Sequence, residues 1–314
     1  MSAPRPPRWH GLLLVDKPSG LTSHDVVNRV RGLAGQRQVG HTGTLDPLAT
    51  GLLALLLGSA TRLEPYLVKA DKSYSGRLEL GLSTDTDDIS GRVLARQPGP
   101  WPGQTAVERA LKRLEGPGEQ IPPAYSAIRV AGRRAHQAAR AGAPLQLKPR
   151  LVTARSLELT GYDPPYLDFR AEVSSGYYIR SLARDLGSSL GLGGALTSLR
   201  RERVGPWPVA QAALLSEMAG WSEDDWHFRL RPPAEALSHW PPLTLAGDSI
   251  GRFGQGQTLE IMAEAAAGRA AGNYKILDDQ GRLIGLGQLS ASSFGGLPPR
   301  GPFLRPLRVF NSGQ

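Results

Sequence analysis

The chain has 314 residues, enough for one large domain and a small one, and 40% of them are hydrophobic, so a sizeable core is available. Lys and Arg number 37 against 28 Asp and Glu, a net charge of +9 that favours a polyanionic partner, nucleic acid before anionic membrane. The lack of any cysteine excludes disulfides, thiol catalysis and thiolate metal sites, and fits a cytoplasmic protein.

The start, "MSAPRPPRWHG", has no apolar stretch of signal-peptide type. Residues 9–15, "WHGLLLV", predict a buried strand, and "DKPSG" after it a proline–glycine turn. Ser23 is the expected N-cap of a helix carrying Val26, Val27, Val30 and Leu33 on one stripe and ending at Gly35. The apolar run 52–57 predicts a buried strand and is far too short to cross a bilayer.

Residues 74–82 alternate, with Tyr74, Leu78, Leu80 and Leu82 against Ser75, Arg77 and Glu79. Thr105 and Glu108 have capping-box spacing ahead of Val107, Leu111 and Leu114. Residues 167–173 alternate again, and Ile179, Leu182, Ala183, Leu186 and Leu190 recur at helical spacing. Strands and helices mix without a βαβ rhythm. The expectation is an α+β fold with a mixed, largely antiparallel central sheet flanked by helices.

Two proline pairs in "RPPAEALSHWPPLTL", residues 231–245, read as a domain hinge. Beyond it, "YKILDDQGRLIGLGQL" is a hairpin signal in a glycine-rich tail that suits a small β-barrel.

Charge is concentrated. Residues 120–157 contain no Asp or Glu but hold Arg129, Arg133, Arg134, Arg140, Lys148, Arg150 and Arg155. Ordinary surface helices mix signs. If "RVAGRRAHQAARAG" is helical, Arg129, Arg133, His136 and Arg140 fall near one face, suited to backbone phosphates.

The stretch "GHTGTLDPLATG", residues 40–51, places one carboxylate, Asp46, ahead of Pro47. Asp before Pro is a strong turn starter, so Asp46 reads first as an N-cap with Pro47 at the first helical position. Three features add a chemical reading. Gly40, Gly43 and Gly51 permit close backbone approach to a ligand. His41 lies five residues upstream. No P-loop, nucleophile elbow or zinc motif competes, and the histidines at 10, 24, 41, 136, 227 and 239 are scattered, so no metal is expected.

"GLLLVDKPSGLTSHDVV", "GHTGTLDPLATGLL", "ADKSYSGRLELGLSTDTDDISG", "IPPAYSAIRVAGRRAHQAARAG" and "SGYYIRSLARDLG" stand here in the order and spacing of the bacterial TruB family, tRNA pseudouridine-55 synthases. The resemblance covers about residues 9–210. It implies a pseudouridine synthase fold over 9–235, with a basic RNA-binding insertion at about 120–157, and a PUA-like RNA-binding domain over 242–314.

It also implies isomerisation of a flipped-out uridine in the tRNA T-loop by a monomer, without cofactor or metal. Asp46 matches the family's catalytic aspartate, whose attack on the base and on ribose C1′ both remain open. Arg180 matches its arginine partner and Tyr74 the tyrosine packed on the target base. His41, Tyr178 and Leu199 match residues around the uridine, and Lys17 a motif lysine with a supporting or phosphate role. Arg129, Arg133, Arg140, Lys148 and Arg150 are the expected contacts to the RNA backbone. Arg129, His136 and Tyr177 depart from the family's usual lysine, tyrosine and threonine. The alternative from another class is a non-catalytic RNA-binding or RNA-folding protein using the same basic surface.

Overall fold

A strand that is apolar on both faces must be covered on both. In the computed structural model, which describes residues 8–130, 132–261, 268–290 and 302–310, the run 52–57 is such a strand. It lies in β3 (Thr50–Leu57), which pairs antiparallel with β1 (Gly11–Lys17) and with the short β2 (Val39–His41). Leu53, Leu55 and Leu57 enter one core with Leu13 and Val15. Leu52, Ala54 and Leu56 enter a second with Leu12 and Leu14.

The chain continues through β4 (Lys72–Leu80), the hairpin β5 (Leu82–Thr84) and β6 (Val93–Arg96), β7 (Gly116–Gln120) and the small hairpin β8 (Arg129–Val130) and β9 (Arg133–Arg134). Then follow β10 (Arg150–Asp163), β11 (Tyr166–Val173), β12 (Gly194–Val204), β13 (Trp207–Pro208) and β14 (Ala213–Leu214). The main sheet runs β14-β1-β3-β12-β4-β11-β10-β7, with β2 on β3 and β13 on β12. Only β1–β14 and β3–β12 are parallel. This is the mixed, largely antiparallel sheet the sequence predicts.

One face is covered by helices. Val26, Val27 and Val30 of α1 (Ser23–Leu33) pack into the first core. After the short α2 (Glu64–Leu67), α3 (Gln104–Arg113) adds Val107, Ala110 and Leu111. Beyond α4 (Ala135–Arg140), α5 (Ile179–Ser189) adds Ile179, Leu182, Ala183 and Leu186. Each buried Val, Leu or Ile among these contributes roughly 1.5–3 kcal/mol on leaving water. The opposite face of β4, β11 and β12 is open to solvent. There, cross-strand charge pairs replace apolar packing: Arg77 with Asp168 at 2.8 Å and Arg203 with Glu172 at 3.0 Å.

Three local expectations are corrected. Thr22, not Ser23, caps α1, in a capping box with Asp25, and the Ser23 side chain is turned inward. The N-cap of α3 is Gly103 without a side-chain bond, so Thr105 is already helical and Glu108 instead accepts from the Gln104 amide at 2.8 Å. Residues 129–140 are not one helix. Gly132, at φ +80°, turns the chain into the β8–β9 hairpin, and α4 starts only at Ala135.

After α6 (Glu223–Arg229) the segment expected to be a hinge is packed. Leu12 and Arg231 exchange both backbone hydrogen bonds at 2.9 Å. Ala236 of α7 (Pro233–Ala236) and Leu237 are fully buried in the second core, which also takes Leu286 and Phe310 from the tail. The tail is a five-stranded sheet in the order β15 (Pro242–Thr244), β17 (Gly272–Leu277), β18 (Leu283–Ser290), β19 (Phe303–Val309) and β16 (Leu259–Glu260). The expected hairpin is β17–β18. Phe253 of α8 (Asp248–Gly254) fills its core, and only a glycine fits at 285, where a Cβ would stand 2.5 Å from that ring.

Candidate active site

The loop from Thr42 to Ala49 is built by backbone carbonyls and buried cations. The turn reading of Asp46–Pro47 holds: the Asp46 carbonyl accepts from Ala49 N–H at 3.1 Å, closing a single turn without a helix. The Ser23 hydroxyl donates to the Leu45 carbonyl at 3.0 Å and accepts from Leu45 N–H at 2.7 Å. Gly20 N–H donates to the Pro47 carbonyl at 2.8 Å. Arg201, 2% exposed, donates from Nε to Leu52 O at 2.7 Å, from Nη2 to Gly43 O at 3.1 Å and from Nη1 to Thr44 O at 3.4 Å. The loop is thereby fixed on both sides of Asp46.

Lys17 is fully buried. Its Nζ donates to Leu21 O at 2.7 Å, Pro18 O at 2.9 Å and Pro47 O at 3.5 Å. Burial pushes its pKa down to about 8, although the nearby Asp46 charge pulls it up. A phosphate contact, one of the expectations for Lys17, is therefore corrected: the ammonium is enclosed and holds the loop. Gly51, too, approaches protein rather than ligand. At φ +97° a Cβ there would stand 2.4 Å from the Arg201 carbonyl oxygen.

Asp46 and Arg180, 134 residues apart, are side by side. Arg180 Nε lies 2.8 Å from Asp46 Oδ2, and Nη2 donates to Oδ1 at 3.2 Å. The Nε contact is a charge contact without hydrogen-bond alignment, so this buried donor lacks an acceptor in line. The pair is asymmetric: the Arg180 side chain is 6% exposed and that of Asp46 is 39% exposed. A buried guanidinium thus backs a carboxylate that faces solvent.

Three groups that sequence reasoning missed complete the guanidinium shell. Its Nη1 donates to Thr86 O and its Nη2 to Tyr125 O, both at 2.9 Å. Asp88, itself buried, places Oδ2 3.8 Å from Arg180 Nε. Asp88 is held by Thr86 Oγ1 at 2.8 Å, by Ser90 N–H at 2.9 Å and by the Ser90 hydroxyl. The acid-rich "TDTDD" was the available signal, and it reads equally as an exposed turn.

Tyr74 is buried on β4, between Ala171 and Arg201 of the neighbouring strands, in the core that also holds Leu45 and Leu199. Leu199 sits on β12 opposite Gly76. Tyr178 is the N-cap of α5, and burial raises its phenol pKa against the opposing charges of Arg150 and Arg180. His41 ends β2; its Nδ1 accepts from Gly43 N–H at 3.3 Å, which puts the proton of the neutral ring on Nε2. Burial, aided by Arg201 and His24, lowers its pKa and favours that neutral form.

The side chains of Arg129, Arg133, Arg140, Lys148 and Arg150, the expected RNA-backbone contacts, are exposed. A groove of about 530 Å³ is lined by Leu48 of the loop, Thr50 and Leu199 together with Ser75, Arg170 and Arg200, although neither Asp46 nor Arg180 lines it. Among the described residues, no group of three His, Asp or Glu could hold a metal ion and no helix is long and apolar enough to cross a membrane.

The geometry thus brings together a carboxylate on a glycine-rich loop and a buried arginine 134 residues away in sequence. The family model for the TruB family pseudouridylate synthase N-terminal domain matches residues 31–179. The tRNA pseudouridine synthase B of Synechococcus sp. is 41% identical over 295 residues, 92% of this chain and 96% of that one. This chain belongs to the TruB family of pseudouridylate synthases. The synthase B of Thermobifida fusca is 50% identical over 236 residues, 73% of this chain and 78% of its own. That of Syntrophotalea carbinolica is 38% identical over 307 residues, 97% and 99% of the two chains.

The TruB fold extends to solved structures of low identity. A chain from an H/ACA ribonucleoprotein bound to a substrate RNA containing 2′-deoxyuridine superposes with a TM-score of 0.70 at 23% identity, covering 96% of this chain and 85% of its own. A chain of the archaeal box H/ACA Nop10-Cbf5 complex gives 0.67 at 24%, covering 96% and 86%.

Proposed function

We propose that this protein isomerises uridine to pseudouridine in tRNA, at position 55 of the T-loop, acting as a cytoplasmic monomer on the T-arm. The observation that carries the reading is the half-exposed Asp46 carboxylate held by the buried Arg180 in a TruB-family chain. The reaction breaks the N1–C1′ bond, turns the uracil and forms a C5–C1′ bond. C5 releases a proton and N1 takes one up, so no atom or electron is gained overall, and side chains suffice.

In this reading Asp46 is the covalent catalyst, and the fixed guanidinium of Arg180 holds it oriented. Tyr74 packs on the extruded base, an interaction of roughly 1–3 kcal/mol. Tyr178 and Leu199 line the uridine pocket, and His41 enters the space the flipped nucleotide leaves. Lys17 supports the loop from behind. Residues 9–235 form the catalytic domain and 242–314 a PUA-like RNA-binding domain. Arg129, Arg133, Arg140, Lys148 and Arg150 meet the RNA backbone.

The test is tritium release from C5-labelled uridine in tRNA by wild type and Asp46→Asn. The amide keeps the shape and removes the nucleophile, so turnover is expected to fall by about 10³-fold or more while tRNA binding is retained. Equal rates would leave a non-catalytic RNA-binding protein as the reading.

A further inference from the structure

Helix α5 carries Tyr178 at its N-cap and Arg180 in its first turn, yet no side chain of its own caps it. Its start is held by Gln120 at the end of β7. The Gln120 Oε1 accepts from Tyr178 N–H at 2.8 Å, and its Nε2 donates to Tyr178 O at 3.2 Å. The amide acts as one peptide unit of a sheet ladder, and at 5% exposure water does not replace it.

The residues after Gln120 are tied to the same helix. Ile121 O accepts from Ser181 Oγ at 2.9 Å and from Arg184 Nη2 at 2.8 Å, and Tyr125 O accepts from Arg180 Nη2 at 2.9 Å. Pro122 and Pro123, both buried, stiffen the link between them. Beyond Ser126 come the basic residues of the insertion, whose α4 begins on the Ser126 carbonyl through His136 N–H at 3.1 Å. Residues 120–126 therefore stand between that basic surface and the guanidinium that orients Asp46.

We infer that Gln120 is a positioning residue of the isomerisation: by clamping residue 178 it fixes the helix start on which the Arg180 guanidinium stands, relative to the root of the insertion. The inference rests on the activity proposed above. It is set apart from a purely structural role by a control inside the molecule. Gln36, also buried, clamps Trp9 in the same two-way manner, accepting from Trp9 N–H at 2.8 Å and donating to Trp9 O at 3.0 Å. It has no contact with Asp46 or Arg180. Gln36→Leu and Gln120→Leu thus remove the same two-way clamp at two places, Gln36→Leu also losing a bond to Gln38 O at 3.3 Å, and only the Gln120 clamp touches the helix of Arg180.

The experiment measures single-turnover pseudouridine formation, tRNA affinity and the thermal midpoint for wild type, Gln120→Leu and Gln36→Leu. Both variants should lower the midpoint. Gln120→Leu should slow the reaction by ~10-fold or more, with tRNA affinity within about threefold, because a small misplacement of a fixed group is costly in rate. Gln36→Leu should react within about twofold of wild type. Gln120→Glu retains the acceptor for Tyr178 N–H, loses the donor and should fall between; it carries the test if Gln120→Leu does not fold. Gln120 variants reacting like wild type, or Gln36→Leu slowing as much as Gln120→Leu, would overturn the positioning role alone. A wild type that forms no pseudouridine would overturn the activity and this role with it.

Discussion

The Asp46 loop and the basic insertion use the same residue types to opposite ends. Around the loop, Lys17, Lys72 and Arg201 are buried and donate to main-chain carbonyls; Lys72 binds Ala70 O at 2.6 Å and Val68 O at 2.7 Å. In the insertion, Arg129, Arg133, Arg140, Lys148 and Arg150 are exposed. A buried cation is costly unless every donor is matched, so it rigidifies whatever backbone it binds. An exposed cation keeps its charge for a mobile partner. Basic composition alone therefore does not mark an RNA surface; burial divides the cations that build the Asp46 loop from those that face solvent.

The strongest way to break this division is Arg201→Met. It leaves the carbonyls of Leu52, Gly43 and Thr44 without their buried donor, and at about 1–3 kcal/mol for each unsatisfied group the expected loss is about 3–5 kcal/mol after partial relaxation. Urea unfolding measures it. A loss below about 1 kcal/mol would mean that the loop holds without its arginine.

A smaller change is expected on the catalytic side. Asp88→Asn keeps the shape that accepts from Ser90 N–H but removes the second negative charge beside Arg180. With Asp46 and Asp87 left to balance it, the guanidinium should settle differently, slowing the single-turnover rate by about 10-fold with tRNA affinity unchanged. A wild-type rate would show that Asp88 serves its own turn and not the Arg180 site.

Much of the fold was legible because its signals are local. The alternation in β4 and β11 and the stripes in α1, α3 and α5 each follow from one solvent-facing side. The double burial of β3 follows from its unbroken apolar run. The pairing of Asp46 with Arg180 was legible only through the motifs, since no local pattern joins residues 134 apart. Gln120, Asp88 and Arg201 were missed as parts of the site because they act on main-chain groups or on a guanidinium distant in sequence, which leaves no periodic trace. The helical reading of 129–142 failed at Gly132, where a left-handed turn outweighs the helix propensity of the alanines and arginines around it.

That correction sharpens the last prediction. On a single helix Arg133 and Arg140 would share a face; instead Arg133 lies on the β8–β9 hairpin and Arg140 in the last turn of α4. Both side chains are exposed, so their joint replacement by Ala should change folding stability by less than about 0.5 kcal/mol. If each meets a phosphate, tRNA affinity falls and the slope of log K against log salt flattens by about 1 per residue lost. Because the two stand on different elements, the single variants should each take about half of the change, additively. An unchanged slope in the double variant would remove the insertion from the RNA interface and leave its charge unexplained by substrate binding.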